Sequence, residues 1–367
     1  MDETRLTGRI LTPAGWVTGT LRCTAQIIAV EPGPAPNDRF IVPGFVDLHV
    51  HGGHGADCME GADSVRHMAG FHAHHGTTSL LATTVTAPAD DLRRAMSGIA
   101  EAMRAPGPGA RVLGAHSEGP FISPDALGAQ PPFAIPPDLP LLEQLAAAVP
   151  IRVATYAPEV DPDGTLLAAF RQLGVRAQIG HTTCDFAQAR TALAGGAAGF
   201  THLYNAMSGL HHRRAGAVGA ALALAGSAEL ILDFQHVDEG AARTALRAVP
   251  RLHCVSDAVA AAGMPDGEYR LGAHQIFKQG ETVRLANGSL AGSVLTMDRA
   301  LRNLLSLGLP LAEAARRCST LPAEYLGLAD RGTLVPGAAA DAVVLDGRGR
   351  LLGVMLEGAE LRLSDRT

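Results

Sequence analysis

Residues 41–53, IVPGFVDLHVHGG, join a short apolar run to two histidines at its end. Runs of this length that are rich in β-branched residues are typical of strands buried in a sheet. Seven further runs of the same kind follow, separated by Ala- and Leu-rich segments of helical period. This alternation predicts βα units around a parallel sheet, and eight units are the number that closes a (β/α)8 TIM barrel, an α/β fold.

The predicted strands and helices of the barrel alternate along most of the chain. The strands lie near residues 41–48, 78–84, 112–116, 152–156, 175–179, 199–203, 230–234 and 252–256. The helices occupy residues 63–75, 90–103, 139–148, 166–173, 186–194 and 239–249. Each helix is long enough to carry the chain back across the sheet, as a parallel connection requires.

The two ends of the chain follow a different pattern. The first 40 residues contain short apolar runs separated by the turn sequences PAG and PGP, and residues 333–367 contain similar runs joined by glycine turns. Neither end is long enough to bury a core alone. We therefore predict a small β-sandwich domain formed by residues 1–43 and 333–367, beside a barrel of residues 44–332.

Composition excludes several classes of protein. With 36 acidic and 30 basic side chains and no basic block, the chain is a poor match for nucleic acid. It has no run of about 20 apolar residues and no basic region before an apolar one at its start, so we expect no membrane span and a cytoplasmic location. Its five cysteines are scattered without C-x-x-C spacing, which argues against a zinc ribbon or a disulfide framework.

His49 and His51 are the first candidates for metal ligands. They are two residues apart at the end of a predicted strand, so both side chains point to one face of it. Inside a barrel that face is the interior, where two imidazoles can bind a divalent metal. The alternative is a chance pair in a chain that has 15 histidines.

Four more polar residues lie near or just after the ends of predicted strands. They are Glu118 in GAHSEGPFISP, His181 in IGHTTCD, His202 in FTHLYNAM and Asp257 in CVSDAVAAAG. Each has an ordinary alternative role: a loop carboxylate, a satisfied polar histidine or a helix cap. Because the carboxyl ends of barrel strands form the active-site mouth, the set together predicts nitrogen ligands, a shared carboxylate and a free carboxylate for metal-assisted hydrolysis.

These motifs resemble the amidohydrolase superfamily, and within it the N-acetylglucosamine-6-phosphate deacetylases. The resemblance covers roughly residues 41–345, where the family's signatures occur in their usual order. The signatures are PGFVDLHVHG, EGPFISP, GHT, HLYNAM, SDAVAAAGMPDGEYRLG, LAGSVLTMDRAL and GTLVPGAAADAVVLD.

The resemblance implies a metal centre of one or two ions. It implies that Glu118, His181 and His202 hold the principal ion, and that Asp257 is the general acid/base. His49 and His51 would complete a second site, with Glu118 as the bridge. Zinc is the first expectation, with iron, cobalt or manganese as alternatives. Lys278 is the only lysine in the chain, so branches of the superfamily that bridge their metals with a carbamylated lysine near strand 4 are excluded.

The resemblance also implies a pocket for a phosphorylated sugar. The motif HHRRAG supplies Arg213 as a phosphate contact, and LDFQHVD supplies His236 as a second one. Backbone amides of Asn205 and Ala206 would help. Because the family completes this pocket across a dimer interface, the resemblance implies a homodimer. The alternative for residues 211–214 is a solvated basic loop.

Three departures from the family affect the expected substrate. Gln130 stands where the family usually has a histidine that orients the acetamide carbonyl, and glutamine can donate a hydrogen bond but cannot carry a proton. The loop that is usually GREPG is RRAG here. Phe234 and Gln235 replace a smaller segment that contains glycine.

The expected reaction is hydrolysis of the acetamide of an N-acetylated amino-sugar 6-phosphate. N-acetylglucosamine-6-phosphate is the first candidate, giving glucosamine-6-phosphate and acetate. The alternatives are the galacto epimer of that substrate and a deaminase or cyclic-amide hydrolase on the same scaffold. A binding protein without catalysis is a further alternative, which the intact set of ligand residues disfavours.

Overall fold

The computed structural model describes residues 3–362. Its strands in chain order are β1 (Thr4–Thr12), β2 (Gly15–Cys23), β3 (Ile27–Pro32), β4 (Phe40–Pro43), β5 (Phe45–Val50), β6 (Gly52–Gly53), β7 (Ala56–Asp57), β8 (Thr77–Thr84), β9 (Arg111–Glu118), β10 (Ile151–Tyr156), β11 (Arg176–Ile179), β12 (Gly199–Phe200), β13 (Ser227–Ile231), β14 (Arg251–Val255), β15 (Gly267–Leu271), β16 (His274–Gln279), β17 (Thr282–Arg284), β18 (Ala342–Leu345), β19 (Leu351–Leu356) and β20 (Ala359–Leu361). Its α-helices are α1 (Ala62–Ala73), α2 (Ala89–Arg104), α3 (Leu139–Ala148), α4 (Thr165–Gln172), α5 (Phe186–Gly195), α6 (Gly216–Leu224), α7 (Glu239–Ala248), α8 (Met297–Ser306), α9 (Leu311–Cys318) and α10 (Thr320–Tyr325).

The centre of the molecule is a parallel sheet of eight strands among the described residues. Their order is β5-β8-β9-β10-β11-β12-β13-β14. The two outer strands, β14 and β5, meet where the Asp257 amide donates to the carbonyl of His49 at 2.9 Å and the Ser256 amide donates to Asp47 Oδ1 at 3.1 Å. The predicted (β/α)8 barrel is confirmed.

The barrel strands are buried on both faces, which explains why they are continuous apolar runs in the sequence. Every residue of β5 and β8 is buried. The helices that cover the sheet have sharply defined ends. In α5 the Asp185 carboxylate accepts from the Gln188 amide at 2.8 Å and Gln188 Oε1 accepts from the Asp185 amide at 2.9 Å, a capping box. Gly196, at φ 107°, ends the same helix.

The chain ends form a second sheet whose described strands run in the order β20-β19-β18-β4-β1-β2-β3. Strand β4 joins the two ends, because it pairs with β1 in parallel and with β18 in antiparallel orientation. Ile10, Leu21 and Val344 are buried in the separate apolar core of this sheet. The predicted β domain built from both ends is confirmed, and its described strands belong to one hydrogen-bonded sheet. The predicted domain bounds stay a prediction, and residues 1–2 and 363–367 lie outside the described range.

Three predicted strands differ clearly from the structure, and the simplest case is the predicted 199–203, which ends at Phe200. The run at residues 41–48 is two strands, β4 in the end sheet and β5 in the barrel, which separate at Gly44. A Cβ at Gly44 would lie 2.2 Å from Thr78 Oγ1, so the chain passes between the sheets where only glycine fits. Strand β13 begins three residues before the predicted 230–234, because Ser227 and Glu229 interrupt the apolar pattern although both are buried.

Several elements lie outside the predicted ones. They are α6, α8, α9, α10 and the antiparallel sheet β15-β16-β17, which is inserted after the last barrel strand. Across residues 3–362, no helix is long and apolar enough to cross a membrane.

Candidate active site

The predicted site residues meet at the carboxyl ends of the barrel strands. His49 lies in β5 and Glu118 ends β9, while His51 directly follows β5. His181, His202 and Asp257 each lie two residues beyond a strand, namely β11, β12 and β14. Their burial is nearly complete, since none of the six is more than 7% exposed.

Glu118, His181 and His202 form the first candidate metal cluster. Glu118 Oε1 lies 2.9 Å from His202 Nε2 and 3.2 Å from His181 Nε2, and the two nitrogens are 3.1 Å apart. A tetrahedral ion with bonds of about 2.0–2.1 Å separates its ligand atoms by roughly 3.3 Å. The three atoms therefore fit one divalent ion.

The backbone around this cluster fixes the ring of His181. His181 Nδ1 donates to the carbonyl of Ala126 at 2.9 Å, which leaves the Nε2 lone pair facing Glu118. His181 and His202 have φ values of 46° and 25°, in the left-handed region that such residues rarely adopt. Strain of this kind is retained where the surrounding structure over-determines a functional geometry.

His49, His51 and Glu118 form the second cluster. Glu118 Oε2 lies 3.1 Å from His51 Nε2 and 3.4 Å from His49 Nε2, and the two nitrogens are 3.2 Å apart. His51 Nδ1 donates to the carbonyl of Thr83 at 2.9 Å, so its Nε2 is also the ligand nitrogen. Glu118 thus presents Oε1 to one cluster and Oε2 to the other, which is the arrangement of a bridging carboxylate.

The carboxyl of Glu118 is ionised despite its burial. Burial alone would raise its pKa, but the charge of His49 is the main influence that brings the pKa well below its usual range. An ionised carboxylate among imidazole nitrogens is a suitable ligand set for zinc or another divalent transition metal.

A third group of possible ligands lies deeper in the barrel. His49, His116 and Glu229 are all buried and bring one ligand atom each together. However, both ring nitrogens of His116 already contact protein oxygens, at 3.0 Å from Leu48 O and 2.8 Å from Thr155 Oγ1. Burial also lowers the pKa of His116 to about 4, so it is neutral. This group is therefore part of the support for His49 rather than a separate ion site.

Asp257 is a carboxylate beside the second cluster. Its Oδ1 lies 3.2 Å from His51 Nε2 and 3.5 Å from His49 Nε2. Burial alone would raise the pKa of Asp257, but the charge of His49 and the hydrogen bond with His51 lower it to about 2. The side chain is therefore ionised. It is held in place because its backbone amide and carbonyl both bond to neighbouring segments.

Gln130 is fixed in one orientation. Its Oε1 accepts from the Thr86 amide at 2.7 Å, so its Nε2 is the atom that donates to Glu118 Oε2 at 2.5 Å. The side chain is buried. The NH2 group carries a second hydrogen, which Glu118 leaves free for a ligand in the cavity.

A cavity of about 170 Å³ opens above the candidate metal ligands. Gln130, Asn205, Ala206 and His236 line it, so four of the five predicted substrate contacts are brought together. Leu271 and Leu290, from the inserted antiparallel sheet and the segment that follows it, line it as well.

Arg213 is the predicted substrate contact that the structure does not bring into this cavity. It is exposed on a tight turn in which His211 and Arg214 bond to each other's backbone. His236 differs, because its Nδ1 bonds to Asp233 Oδ2 at 2.7 Å and its Nε2 is left available to a ligand. This hydrogen bond also lowers the pKa of Asp233, although burial alone would raise it.

Two residues of the site were not found from the sequence. Asp233 orients His236, and its position three residues earlier in LDFQHVD was the available signal. Glu229 bonds to His49 at 3.0 Å, and the signal was a carboxylate inside the run SAELI. The sequence analysis did not use that signal, because the predicted strand began at residue 230 and left Glu229 out.

Comparison with known proteins identifies the family of this chain. The sequence profile of the amidohydrolase family matches residues 40–361. An N-acetylgalactosamine-6-phosphate deacetylase of Escherichia coli O157:H7 is 38% identical over 364 residues, which are 95% of this chain and 97% of that protein. An N-acetylglucosamine-6-phosphate deacetylase of Lysinibacillus sphaericus is 40% identical over 319 residues, which are 84% of this chain and 82% of that protein.

A solved structure shares nearly the whole fold. It is a variant of N-acetyl-D-glucosamine-6-phosphate deacetylase from Mycobacterium smegmatis in complex with N-acetyl-D-glucosamine-6-phosphate, with a TM-score of 0.91, 34% identity and coverage of 98% of this chain and 99% of that one. The chain belongs to the amidohydrolase family, whose members are hydrolases that use a divalent metal. Within that family, the resemblance to N-acetylglucosamine-6-phosphate deacetylases that the motifs indicate is confirmed.

Proposed function

We propose that this enzyme removes the acetyl group from N-acetylglucosamine-6-phosphate, giving glucosamine-6-phosphate and acetate. The observation that carries the proposal is Glu118, which presents one oxygen to each of two histidine pairs beneath a cavity of about 170 Å³. His49, His51, His181 and His202 complete the proposed metal centre, with zinc as the first candidate and iron, cobalt or manganese as alternatives.

A divalent ion held by these residues supplies a Lewis acid that polarises the acetamide carbonyl and lowers the pKa of water to about 7. Asp257 is the general base in this proposal. Its ionised Oδ1 faces the centre, where it accepts the proton of the attacking water. Asp257 then returns that proton to the departing amine, so one carboxylate serves as base and then as acid.

Gln130 contacts both Glu118 of the proposed metal centre and, in this proposal, the substrate. Because one hydrogen of its Nε2 bonds to Glu118, the other is available to the acetamide oxygen of a substrate in the cavity. A neutral donor at this position orients the carbonyl without carrying a proton. Gln130 therefore positions the amide while Asp257 moves the proton.

The phosphate end of the pocket combines residues from two places. We propose that His236 Nε2 and the backbone around Asn205 and Ala206 bind the phosphate from within the chain, since all three residues line the cavity. Arg213 lies outside the cavity and is exposed, which suits a residue that serves the pocket of a second copy. In the proposed homodimer, each chain contributes its Arg213 to the pocket of the other chain, which completes a cationic phosphate site in an otherwise acidic protein.

N-acetylgalactosamine-6-phosphate is the second candidate substrate. The relative from Escherichia coli O157:H7 carries that activity in its name and covers 95% of this chain, a larger share than the relative from Lysinibacillus sphaericus. The two sugars differ in the configuration of one hydroxyl group, which lies between the acetamide and the phosphate. Both candidates use the same metal centre and the same role for Asp257.

The test is an amine-release assay of the purified enzyme, with bound metal quantified. The substrates are N-acetylglucosamine-6-phosphate, its galacto epimer and the two unphosphorylated sugars. A higher kcat/KM for the gluco epimer supports the first candidate, and the reverse order supports the second. Equal rates with and without phosphate contradict the proposed phosphate pocket, and no release from any of the four overturns the proposed function. The cytoplasmic location stays a prediction from the sequence.

A further inference from the structure

Glu229 is a fully buried carboxylate beneath the metal centre. It lies on β13 with 0% exposure, and its side chain points into the barrel. Removing a carboxylate from water is unfavourable unless its partners compensate. Glu229 Oε1 has no hydrogen-bond partner among the residues that the structure describes. Burying Glu229 should therefore lower the free energy of unfolding, so its presence at this position is better explained by function than by stability.

The partners of Glu229 Oε2 point to the metal centre. The oxygen lies 3.0 Å from His49 Nδ1 and 3.4 Å from the backbone amide of His202. His49 is in turn one of the two histidines that face Glu118 Oε2. Glu229 thus contacts a predicted metal ligand on the side away from the metal.

His49 is supported differently from the two other histidines whose Nδ1 is bonded. His51 and His181 donate Nδ1 to backbone carbonyls, of Thr83 and Ala126 respectively. His49 instead donates Nδ1 to a carboxylate. A carboxylate partner fixes the tautomer, holds the ring plane and makes the opposite nitrogen a stronger ligand than a carbonyl partner does.

We propose that Glu229 is the positioning residue of the second metal site. Its hydrogen bond holds His49 in the Nδ1–H tautomer with Nε2 directed at the ion shared with His51 and Glu118. The inference rests on the proposed two-ion centre, and it goes beyond that centre by assigning which residue makes its second ion bind. The first ion, at Glu118, His181 and His202, should depend on Glu229 less, because Glu229 contacts the backbone amide of His202 at 3.4 Å and not its imidazole ring.

Three variants separate contact from charge at this position. Glu229→Gln keeps an oxygen that accepts from His49 Nδ1 but removes the charge. Glu229→Asp keeps the charge but shortens the side chain by one methylene group, which withdraws the oxygen from His49. Glu229→Met removes both. Gln178→Met is the matched control, because Gln178 is a buried polar residue of the barrel whose side chain bonds to Tyr325 and Thr201 rather than to a ligand histidine.

The measurement is metal binding, which needs no substrate. Apo enzyme is titrated with Co²⁺ while the visible absorption of the bound ion is followed, and bound metal is counted by mass spectrometry after gel filtration. Wild type and Gln178→Met are expected to bind two ions per chain with the same affinities, and Glu229→Gln is expected to bind the second ion more weakly than wild type but more tightly than Glu229→Met, because it keeps the hydrogen bond and loses the charge. Glu229→Asp and Glu229→Met are expected to keep the first ion and to bind the second one roughly 10–100-fold more weakly.

Several results would overturn the inference. Wild-type affinity for two ions in Glu229→Asp would show that the contact is unnecessary, and loss of both ions in that variant would indicate a general structural role. Second-ion affinity in Glu229→Gln as weak as in Glu229→Met would assign the whole effect to charge and would remove the hydrogen bond from the explanation. If the wild type binds one ion, His49 is not a ligand and the inference fails, while the amine-release assay still decides the proposed function. Should Glu229→Met not fold, the Gln and Asp variants carry the test.

Discussion

The site has two halves that are built differently. The inner half consists of the proposed metal ligands and Asp257, which are buried, lie at strand ends and contact one another or backbone. The outer half consists of Asn205, Ala206, His236 and Arg213, which lie on loops and range from half-buried to exposed. The barrel therefore fixes the chemistry, while loops fix which molecule is presented to it. Substitutions in the two halves should change different kinetic constants.

The largest effect is expected in the inner half, at Asp257. Asp257→Asn keeps the shape of the side chain but cannot accept a proton from water. Turnover should fall by roughly 10²–10⁴-fold, the usual contribution of general acid–base catalysis. KM should change little, and bound metal should stay at the wild-type level. Near-normal kcat with unchanged metal content would remove Asp257 from its assigned role.

A smaller effect is expected in the outer half, at Arg213. Arg213→Ser removes a charge-assisted contact worth about 1.5–3 kcal/mol, so KM for the phosphorylated sugar should rise roughly 10–100-fold. The rate with the unphosphorylated sugar should not change. Arg214→Ser is the matched control, because Arg214 lies on the same exposed turn. An equal effect of both substitutions would point to general attraction by a basic loop.

The same residue tests whether the outer half belongs to one chain or two. At substrate concentrations well below KM, chains that carry Arg213→Ser have low activity because they bind the phosphorylated sugar weakly. Chains that carry Asp257→Asn have low activity because their turnover is slow. In a mixed dimer, the Arg213→Ser chain keeps Asp257 and the Asp257→Asn chain keeps Arg213. If Arg213 serves the pocket of the other chain, one of the two sites then has both residues intact. Activity of the mixture above that of either variant alone supports exchange, and gel filtration with light scattering checks the dimer. Activity equal to the average of the two would place Arg213 in its own chain's pocket.

Gln130 lies on the boundary between the halves. Gln130→Leu leaves the buried Thr86 amide unpaired and removes the donor to Glu118, which costs about 1–3 kcal/mol for the unpaired group. We expect a drop in kcat of roughly tenfold with the metal retained, since about 1.4 kcal/mol corresponds to tenfold. Gln130→His tests whether the usual family residue works in this cavity. A tenfold rise in KM with unchanged kcat would instead show that Gln130 acts in substrate binding alone, as the residues of the outer half do.

The inner half was predictable because its signals are local. A histidine or carboxylate directly after an apolar strand run is visible in the sequence, and barrel geometry brings strand ends together without further information. This logic placed Glu118, His181 and His202 correctly at the mouth, and the structure brings their ligand atoms within 3.2 Å of one another. The assigned roles of these residues stay predictions until metal binding is measured.

The remaining features depend on tertiary contacts that the sequence does not display. The change of sheet at Gly44 lies inside an uninterrupted apolar run, and only the side chain of Thr78, 34 positions later, reveals why glycine is needed there. Glu229 was missed because its partner, His49, is 180 residues away. The position of Arg213 outside the cavity depends on the turn at residues 211–214, which strand and helix patterns do not describe.

The smallest expected effect lies outside both halves, at Asp298 of α8. Its carboxylate accepts from Thr296 Oγ1 at 2.6 Å and Arg302 Nη1 at 2.9 Å, and it faces His75 Nδ1 at 3.2 Å. Burial alone would raise the pKa of Asp298, but the bond with His75 and its other partners bring the pKa below the usual range. A lowered pKa means that the ionised carboxylate stabilises the fold above the unfolded pKa of about 3.9, and that this stabilisation is lost as pH falls below it.

Asp298→Asn should therefore lower the free energy of unfolding by on the order of 2 kcal/mol at pH 7. Urea unfolding of wild type and variant should show a constant difference from pH 8 to about pH 5, and the difference should shrink as the pH falls below about 4. Because α8 lies in the outer ring of helices, kcat at pH 7 should stay unchanged. A difference that grows at low pH would contradict the assigned sign, and a loss of kcat would show that the inner half depends on the helix ring as well as on its strands.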